Sequence, residues 1–284
     1  MKILMTGSHG FVGTNLIEAF SGRLEIIRWD VRKDIPLPEC DAVIHLAGLA
    51  HDTMHTTEAS EYFKVNTDLT KRIYDRFLRS SAQKFIFFSS IKAQDGDTPY
   101  AQSKKAAEDY ILSNLDEHKQ VVILRPGMIH GPGNKGNLNL LVKVIKSGMP
   151  WPLASFKNKR SFASIRNVCY LVEKMLSLDV PSDIYNVCDD DTVSTNELIE
   201  IICQCIGRKA CMWQVPQGVM RGLAKIGDSL HLPLNTERLE KLTNSYIVDN
   251  SKIKHTLGIE TLPINAIDGL KQSIQSVIIE NGNG

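Results

Sequence analysis

The apolar positions of this 284-residue chain come in two alternating rhythms. Lys2 to Thr6 is a short apolar run, followed by glycines and then by Val12, Leu16, Ala19 and Phe20 at helical spacing, which predicts strand, turn, helix. Glu25-Ile26-Ile27 and Ala42-Val43-Ile44-His45-Leu46-Ala47 are further apolar runs bounded by polar residues, as expected of strands covered on both faces. A helix is predicted over Glu58 to Ser80, where Val65, Leu69, Ile73 and Phe77 recur every four residues. Phe85 to Phe88 is the next strand, Ser103 to Asn114 the next helix, and Val121 to Leu124 the strand after it. Strands alternating with helices in this way predict an α/β fold with a doubly wound parallel sheet.

Beyond Arg125-Pro126 the rhythm breaks. Gly131-Pro132-Gly133, Gly136 and the run Gly148 to Pro152 separate shorter elements, and a smaller C-terminal α/β substrate lobe is expected here. Asp183 to Val187 reads as a strand. Ser194 with Glu197 three residues on is a capping box opening a helix that ends near Gly207. Short helices and turns are expected from about Val248 to Ile279. The predicted division is a dinucleotide-binding domain over 1–126, with returning segments at about 160–190, and a substrate lobe over 127–159 and 191–284.

Thr6-Gly7-Ser8-His9-Gly10-Phe11-Val12-Gly13 stands directly after the first strand. A pyrophosphate needs backbone N–H groups at close range, and side chains at Gly7 and Gly10 would obstruct that approach. Gly13 lets the helix pack on the sheet, and the helix start turns its positive dipole end to the anion. The motif therefore predicts a Rossmann-type cradle for NAD or NADP, with His9, Phe11 and Val12 supplying backbone around the phosphates. Asp30, after the second strand, is the candidate for the adenosine ribose and favours NAD. Arg28, Arg32 and Lys33 around it would welcome the 2′-phosphate of NADP. Only about ten residues separate Asp30 from Asp41, so one crossover is expected to be abbreviated.

Tyr100 and Lys104 are four residues apart, which places them on one helix face. A fixed ammonium beside a phenol favours the phenolate and is expected to lower the tyrosine pKa, making Tyr100 an acid and base. Ser90, at the carboxyl end of a strand where ligands of open α/β sheets bind, is placed to hydrogen-bond a substrate oxygen, with Ser89 as its rival.

Composition excludes several classes. With 43% hydrophobic and 23% charged residues the chain is globular, and its formal net charge of +1 gives no global field for nucleic acid or an anionic membrane. The six cysteines contain no Cys-x-x-Cys pair and no metal-ligand spacing; they read as buried thiols in a reducing compartment, with no bound metal. No apolar run approaches the roughly 20 residues that span a bilayer, and a cytoplasmic protein is expected. His45, within an apolar strand, reads as a satisfied core histidine.

Taken together, these motifs resemble the extended short-chain dehydrogenase/reductase family, the epimerase/dehydratase group acting on nucleotide sugars. Thr6-Gly7-x-x-Gly10-x-x-Gly13 is similar to its cofactor motif, His45-Leu46-Ala47-Gly48 to its fourth-strand motif, and Val65-Asn66 to its central helix motif. Ser89-Ser90 with Tyr100-x-x-x-Lys104 resembles its catalytic set. Arg125-Pro126 through Gly133 looks like its segment after the sixth strand, with His130 where tyrosine is usual. The resemblance implies cofactor contacts at Leu46, Ala47, Gly48, Asn66, Tyr100, Lys104 and Pro126. Ser89 to Lys92, Gly136-Asn137, Arg160-Ser161-Phe162 and Asn186-Val187 resemble reductases of UDP-4-keto-6-deoxy-hexosamines in surface-polysaccharide synthesis. By that similarity Asn137 would face the sugar nucleotide and Arg160 its diphosphate. A 4-epimerase like UDP-glucose 4-epimerase is the alternative, and a non-catalytic dinucleotide sensor a third. Dehydration ranks lower, since Ile91 occupies the place of the acidic residue it needs. The loop from Ser90 to Tyr100 is shorter than in most such enzymes. The resemblance also implies a homodimer paired through the helices containing Asn66 and Lys104.

Overall fold

The computed structural model describes residues 1–31, 36–50, 57–134, 136–230, 232 and 234–280. The chain divides into two compact units. The first comprises Met1–Gly127, Val168–Val187 and Asp249–Thr261; the second comprises Met128–Asn167, Cys188–Val248 and Leu262–Gly284.

The first unit follows from the strand and helix rhythm. β1 (Lys2–Thr6), α1 (Phe11–Phe20), β2 (Glu25–Trp29) and β3 (Ala42–His45) come first. α2 (Ala59–Tyr62), a π-helical turn (Phe63–Asp68) and α3 (Leu69–Leu78) follow. β4 (Lys84–Phe88), α4 (Lys92–Asp95), α5 (Pro99–Ser113) and β5 (Gln120–Pro126) complete the N-terminal run. A sixth strand, β8 (Asp183–Val187), returns to the same sheet. The order is β2-β1-β3-β4-β5-β8, parallel throughout, so every carboxyl end lies along one edge. This is the doubly wound parallel sheet that the alternation predicts. Val43, Phe85, Phe87, Val121 and Ile123 pack with Tyr74, Phe77, Ala107 and Ile111 from α3 and α5 into its core.

Two local features depart from expectation. Helical periodicity predicts one continuous helix with Val65 and Leu69 inward. The π-helical turn adds a residue to its turn and rotates the face, so Tyr62, Asn66, Thr70 and Ile73 are buried while Val65 and Leu69 are half-buried. α5 begins at Pro99 rather than Ser103. Thr98 caps it by accepting from Ala101 N, and Pro99, which has no N–H to lose, suits the first turn. Tyr100 therefore sits at the start of the helix. Between Trp29 and Ala42 no helix occurs among the described residues, in keeping with the short crossover.

The second unit contains β6 (Met128–His130), α6 (Asn137–Lys146), β7 (Arg160–Ser164), the start of α7 (Ile165–Ser177) and β9 (Thr192–Val193). β6 and β7 pair parallel, and β7 and β9 antiparallel. α8 (Thr195–Cys205) opens with the predicted capping box: Glu197 N donates to Ser194 Oγ and Ser194 N donates to Glu197 Oε2. α9 (Gln217–Leu230), α10 (Thr236–Thr243) and α12 (Ala266–Glu280) enclose a core built on Trp151, Phe162, Ile202, Leu270 and Ile274. α11 (Ser251–Leu257) packs on β8 in the first unit, although the sequence places its segment in the second lobe; Lys252 pairs with Asp183 at 2.6 Å. The cysteines are all free, but only Cys40, Cys169, Cys188 and Cys203 are buried; Cys205 is half-buried and Cys211 exposed, which corrects the uniform burial expected. Among the described residues no helix is long and apolar enough to cross a membrane.

Candidate functional site

At the carboxyl edge of the parallel sheet the chain leaves β1 through Gly7, whose φ of +66° favours glycine. A Cβ there would lie 2.7 Å from Ala47 N, and one on Gly13 would lie 2.6 Å from Gly7 O. The two glycines therefore let the turn, the end of β3 and the first turn of α1 close on one another. At Gly10 the nearest neighbour of such a Cβ is Gly7 O at 3.3 Å, so that position is less crowded from within the protein. Gly10 caps α1 without a side chain, and the first turn carries no acidic residue, so its N–H groups are available to an anion. His9 and Gly10 are exposed there, with Phe11 and Val12 half-buried. The cradle fits a dinucleotide pyrophosphate.

Asp30 directly follows β2, whose Trp29 pairs with Thr6, and is half-buried at the same edge. Arg28 is exposed on β2, whereas Arg32 and Lys33 lie outside the described residues. Leu46, Ala47 and Gly48 extend from β3. A Cβ on Gly48 would stand 2.8 Å from Asn66 Oδ1 and 3.2 Å from Lys104 Nζ, so this glycine backs directly onto both. Asn66, fully buried in the π-helical turn, accepts from Leu49 N at 2.8 Å and donates to Leu49 O at 3.2 Å and to Ser103 Oγ at 3.1 Å. Ser103 in turn donates to Tyr100 O at 2.8 Å. Pro126 ends β5 and is buried.

Tyr100 and Ser90 are joined by a side-chain hydrogen bond, and the Tyr100 ring meets Tyr62 edge-on at 5.9 Å. Lys104 is buried; its ammonium donates to Phe88 O at 2.9 Å and lies 5.0 Å from the Phe87 ring centre. Burial brings the Lys104 pKa down to about 8, against the opposing influence of Glu108. Burial also raises the Tyr100 pKa above that of a free phenol, with the Ser90 hydrogen bond pulling the other way and Tyr62 adding to the rise. This corrects the expected lowering: the Lys104 ammonium is directed to a backbone carbonyl, so desolvation dominates at the hydroxyl.

Glu108, not singled out from the sequence, distinguishes the two serines. Ser89 donates its hydroxyl to Glu108 Oε1 at 2.5 Å, and Arg125 binds the same carboxylate through Nε at 2.9 Å and Nη2 at 2.5 Å. Ser90 is the serine left facing Tyr100. The signal was present in the sequence, because Glu108 follows Lys104 by one helical turn and Arg125 precedes Pro126. His45 is a core histidine, fully buried between Thr6 and Thr70.

Gly7, Gly10, Gly13, Asp30, Leu46 to Gly48, Asn66, Ser90, Tyr100, Lys104 and Pro126 thus all belong to the first unit. Asn137 and Arg160 belong to the second. Asn137 is the first residue of α6 after the Gly136 cap, and its side chain lies outside the described set. Arg160 opens β7, half-buried, with Nη1 donating to Lys241 O at 2.5 Å. Burial lowers its pKa, and among the described residues no carboxylate pairs with it. No group of His, Cys, Asp and Glu suited to a metal ion occurs among the described residues.

Comparison with known proteins identifies the family. The family described as NAD dependent epimerase/dehydratase matches residues 3–188. A UDP-glucose 4-epimerase of Vibrio cholerae is 29% identical, over 99% of this chain and 96% of its own. A UDP-2-acetamido-2,6-beta-L-arabino-hexul-4-ose reductase of Pseudomonas aeruginosa is 33% identical, over 50% of this chain and 39% of its own. Among solved structures, UDP-glucuronic acid 4-epimerase from Bacillus cereus in complex with NAD shares the fold with a TM-score of 0.74 at 18% identity, covering 98% of this chain and 99% of that one. The chain belongs to the NAD dependent epimerase/dehydratase family and is an enzyme of nicotinamide-dinucleotide chemistry.

Proposed function

We propose that this protein reduces a 4-keto nucleotide sugar, of the UDP-4-keto-6-deoxy-hexosamine class, in surface-polysaccharide synthesis. The observation that carries the reading is the Ser90–Tyr100 hydrogen bond at the sheet edge that also holds the glycine cradle. Gly7 to Gly13 would hold the pyrophosphate, Asp30 the adenosine ribose, and Lys104 the nicotinamide ribose. When bound, the nicotinamide supplies the hydride that C4 gains. Tyr100 gives the proton to the C4 oxygen, and Ser90 holds that oxygen by a hydrogen bond. The raised pKa of Tyr100 keeps its hydroxyl protonated at neutral pH, the form that a proton donor in the reducing direction requires. Arg160, a desolvated guanidinium with no carboxylate paired to it among the described residues, suits the diphosphate of the substrate, and Asn137 its sugar. NAD is favoured over NADP on the strength of Asp30.

One observation favours a second reading. The Vibrio relative that matches over the full length is a UDP-glucose 4-epimerase. In that reaction Tyr100 would take the proton first and return it after the keto sugar turns. The two differ in cofactor traffic, because an epimerase regenerates its cofactor and keeps it. Ultraviolet absorbance of extensively dialysed protein decides between them: tightly retained NAD counts against the reductase. Oxidation of NADH or NADPH on addition of a UDP-4-keto-6-deoxy sugar supports it. If no nucleotide sugar is turned over, a dinucleotide sensor is the remaining reading. A cytoplasmic homodimer paired through the helices that carry Asn66 and Lys104 completes the proposal, and light scattering tests the dimer.

A further inference from the structure

α5 carries Tyr100, Lys104 and Glu108 at successive four-residue steps, so the three share one stripe of the helix. Glu108 is fully buried. An ionised carboxylate in such a place is costly unless its oxygens are all engaged, and here Ser89 and both arms of Arg125 engage them. Stability alone gives no reason for the arrangement, since well-packed apolar residues commonly replace a buried ion pair without loss. What only a charge can do is act on another charge and on hydrogen-bond donors.

We propose that Glu108 is a positioning residue of the Tyr100–Lys104 site: its carboxylate draws Ser89 and Arg125 to the back of α5 and serves, one turn along, as the counter-charge of the Lys104 ammonium. The proposal rests on the roles given to Tyr100 and Lys104 above. Its first consequence is steric. Ser89 N donates to Leu124 O and Ile91 N to Pro126 O, so the chain continues past β4 in ladder register and neighbouring side chains turn to opposite sides. With Ser89 held by Glu108, Ser90 is presented to Tyr100.

The second consequence is electrostatic. Among the described residues, the groups that bear on Lys104 are Glu108 from its own helix, the Phe88 carbonyl and Phe87 ring from β4, His45 from β3, and Gly48 backing onto its ammonium. His45 is held neutral by burial, with the Lys104 charge adding to the effect, so Glu108 is the negative charge in this set. Glu108 itself is faced by Arg125 from β5, which also feels Asp109 of α5 and Asp95 of α4. Burial brings the Lys104 pKa down to about 8, and Glu108 opposes that fall.

The test is a direct titration of Lys104 in protein labelled with 15N at the lysine side-chain nitrogen, the signal being assigned by Lys104→Met. Wild type is expected to titrate near 8. Glu108→Gln, and the double variant Glu108→Met with Arg125→Met, which removes both partners of the Glu108–Arg125 pair together, are expected to titrate lower by about one unit or more. Glu108→Asp is expected to restore the wild-type midpoint. The inference is overturned if the folded double variant titrates as wild type does. Sugar turnover by Tyr100→Phe and Lys104→Met separates this from the reading it rests on. Full turnover by both removes the catalytic roles, whereas loss of turnover together with an unmoved Lys104 midpoint in the Glu108 variants removes this inference alone.

Discussion

The hydroxyl of Thr6 lies 2.7 Å from Nδ1 of His45, and the direction of that bond is settled by its neighbours. Thr6 Oγ1 already accepts from Leu46 N at 3.2 Å and Ala47 N at 3.1 Å, so its proton goes to His45. Nε2 then carries the ring proton and donates to Thr70 Oγ1 at 2.9 Å, and Thr70 donates to Asn66 O at 2.7 Å. A neutral imidazole thus ties the strand that feeds the cradle to the helix that holds Asn66.

That chain predicts acid sensitivity. Burial pushes the His45 pKa down to about 3, below its ordinary 6.5 in the unfolded chain. The native state therefore binds fewer protons between those values, and stability present above pH 6.5 is lost as pH falls through that window, by about 1.4 kcal/mol per unit. His45→Gln keeps an acceptor for Thr6 and a donor for Thr70 without titrating. Urea unfolding at neutral and mildly acidic pH is expected to show a flatter pH dependence in the variant; parallel curves would sink the assignment.

On the proposed mechanism, removing the Tyr100 hydroxyl takes away the proton donor. Tyr100→Phe is expected to lower sugar turnover by about 10²–10⁴-fold, and Ser90→Ala by about 10². Binding of NADH, followed by its fluorescence, is expected to change little in either. Undiminished turnover in Tyr100→Phe would refute the catalytic assignment.

Gly7 and Gly22 offer a controlled pair. Both have positive φ, at 66° and 71°, but a Cβ on Gly7 meets Ala47 N while one on Gly22 meets nothing within 4 Å. Each alanine substitution is expected to cost about 1–3 kcal/mol from backbone strain. Only Gly7→Ala should also weaken NAD binding, measured by calorimetry. Equal NAD affinity in the two variants would show that the close approach of Gly7 to Ala47 is not what shapes the cradle.

Arg160→Lys replaces a planar fork by a point charge. With a charge-assisted hydrogen bond worth about 1.5–3 kcal/mol, the KM for the UDP sugar is expected to rise roughly tenfold or more, kcat and NADH affinity being kept. An unchanged KM would leave Arg160 as a residue that only binds Lys241 O.

The parallel sheet, the glycine cradle and the Tyr100–Lys104 pair were legible in the sequence, because each rests on local spacing. Alternating apolar runs set strand and helix, glycine spacing sets a turn, and four residues set one helix face. Which serine is engaged by the protein itself was not legible, since Ser89 and Ser90 are equivalent in the chain until Glu108, held by Arg125, accepts from Ser89. Nor was the inward turn of Asn66 and Thr70 in place of Val65 and Leu69, which needs the π-helical turn and polar partners from β3 and α5. The sign of the Tyr100 pKa shift also lay beyond the sequence: spacing gives the nearness of a lysine, but burial and the direction of its ammonium are properties of the packed structure. Local geometry is encoded by near neighbours, whereas solvation and the choice among equivalent side chains depend on residues that only folding brings together.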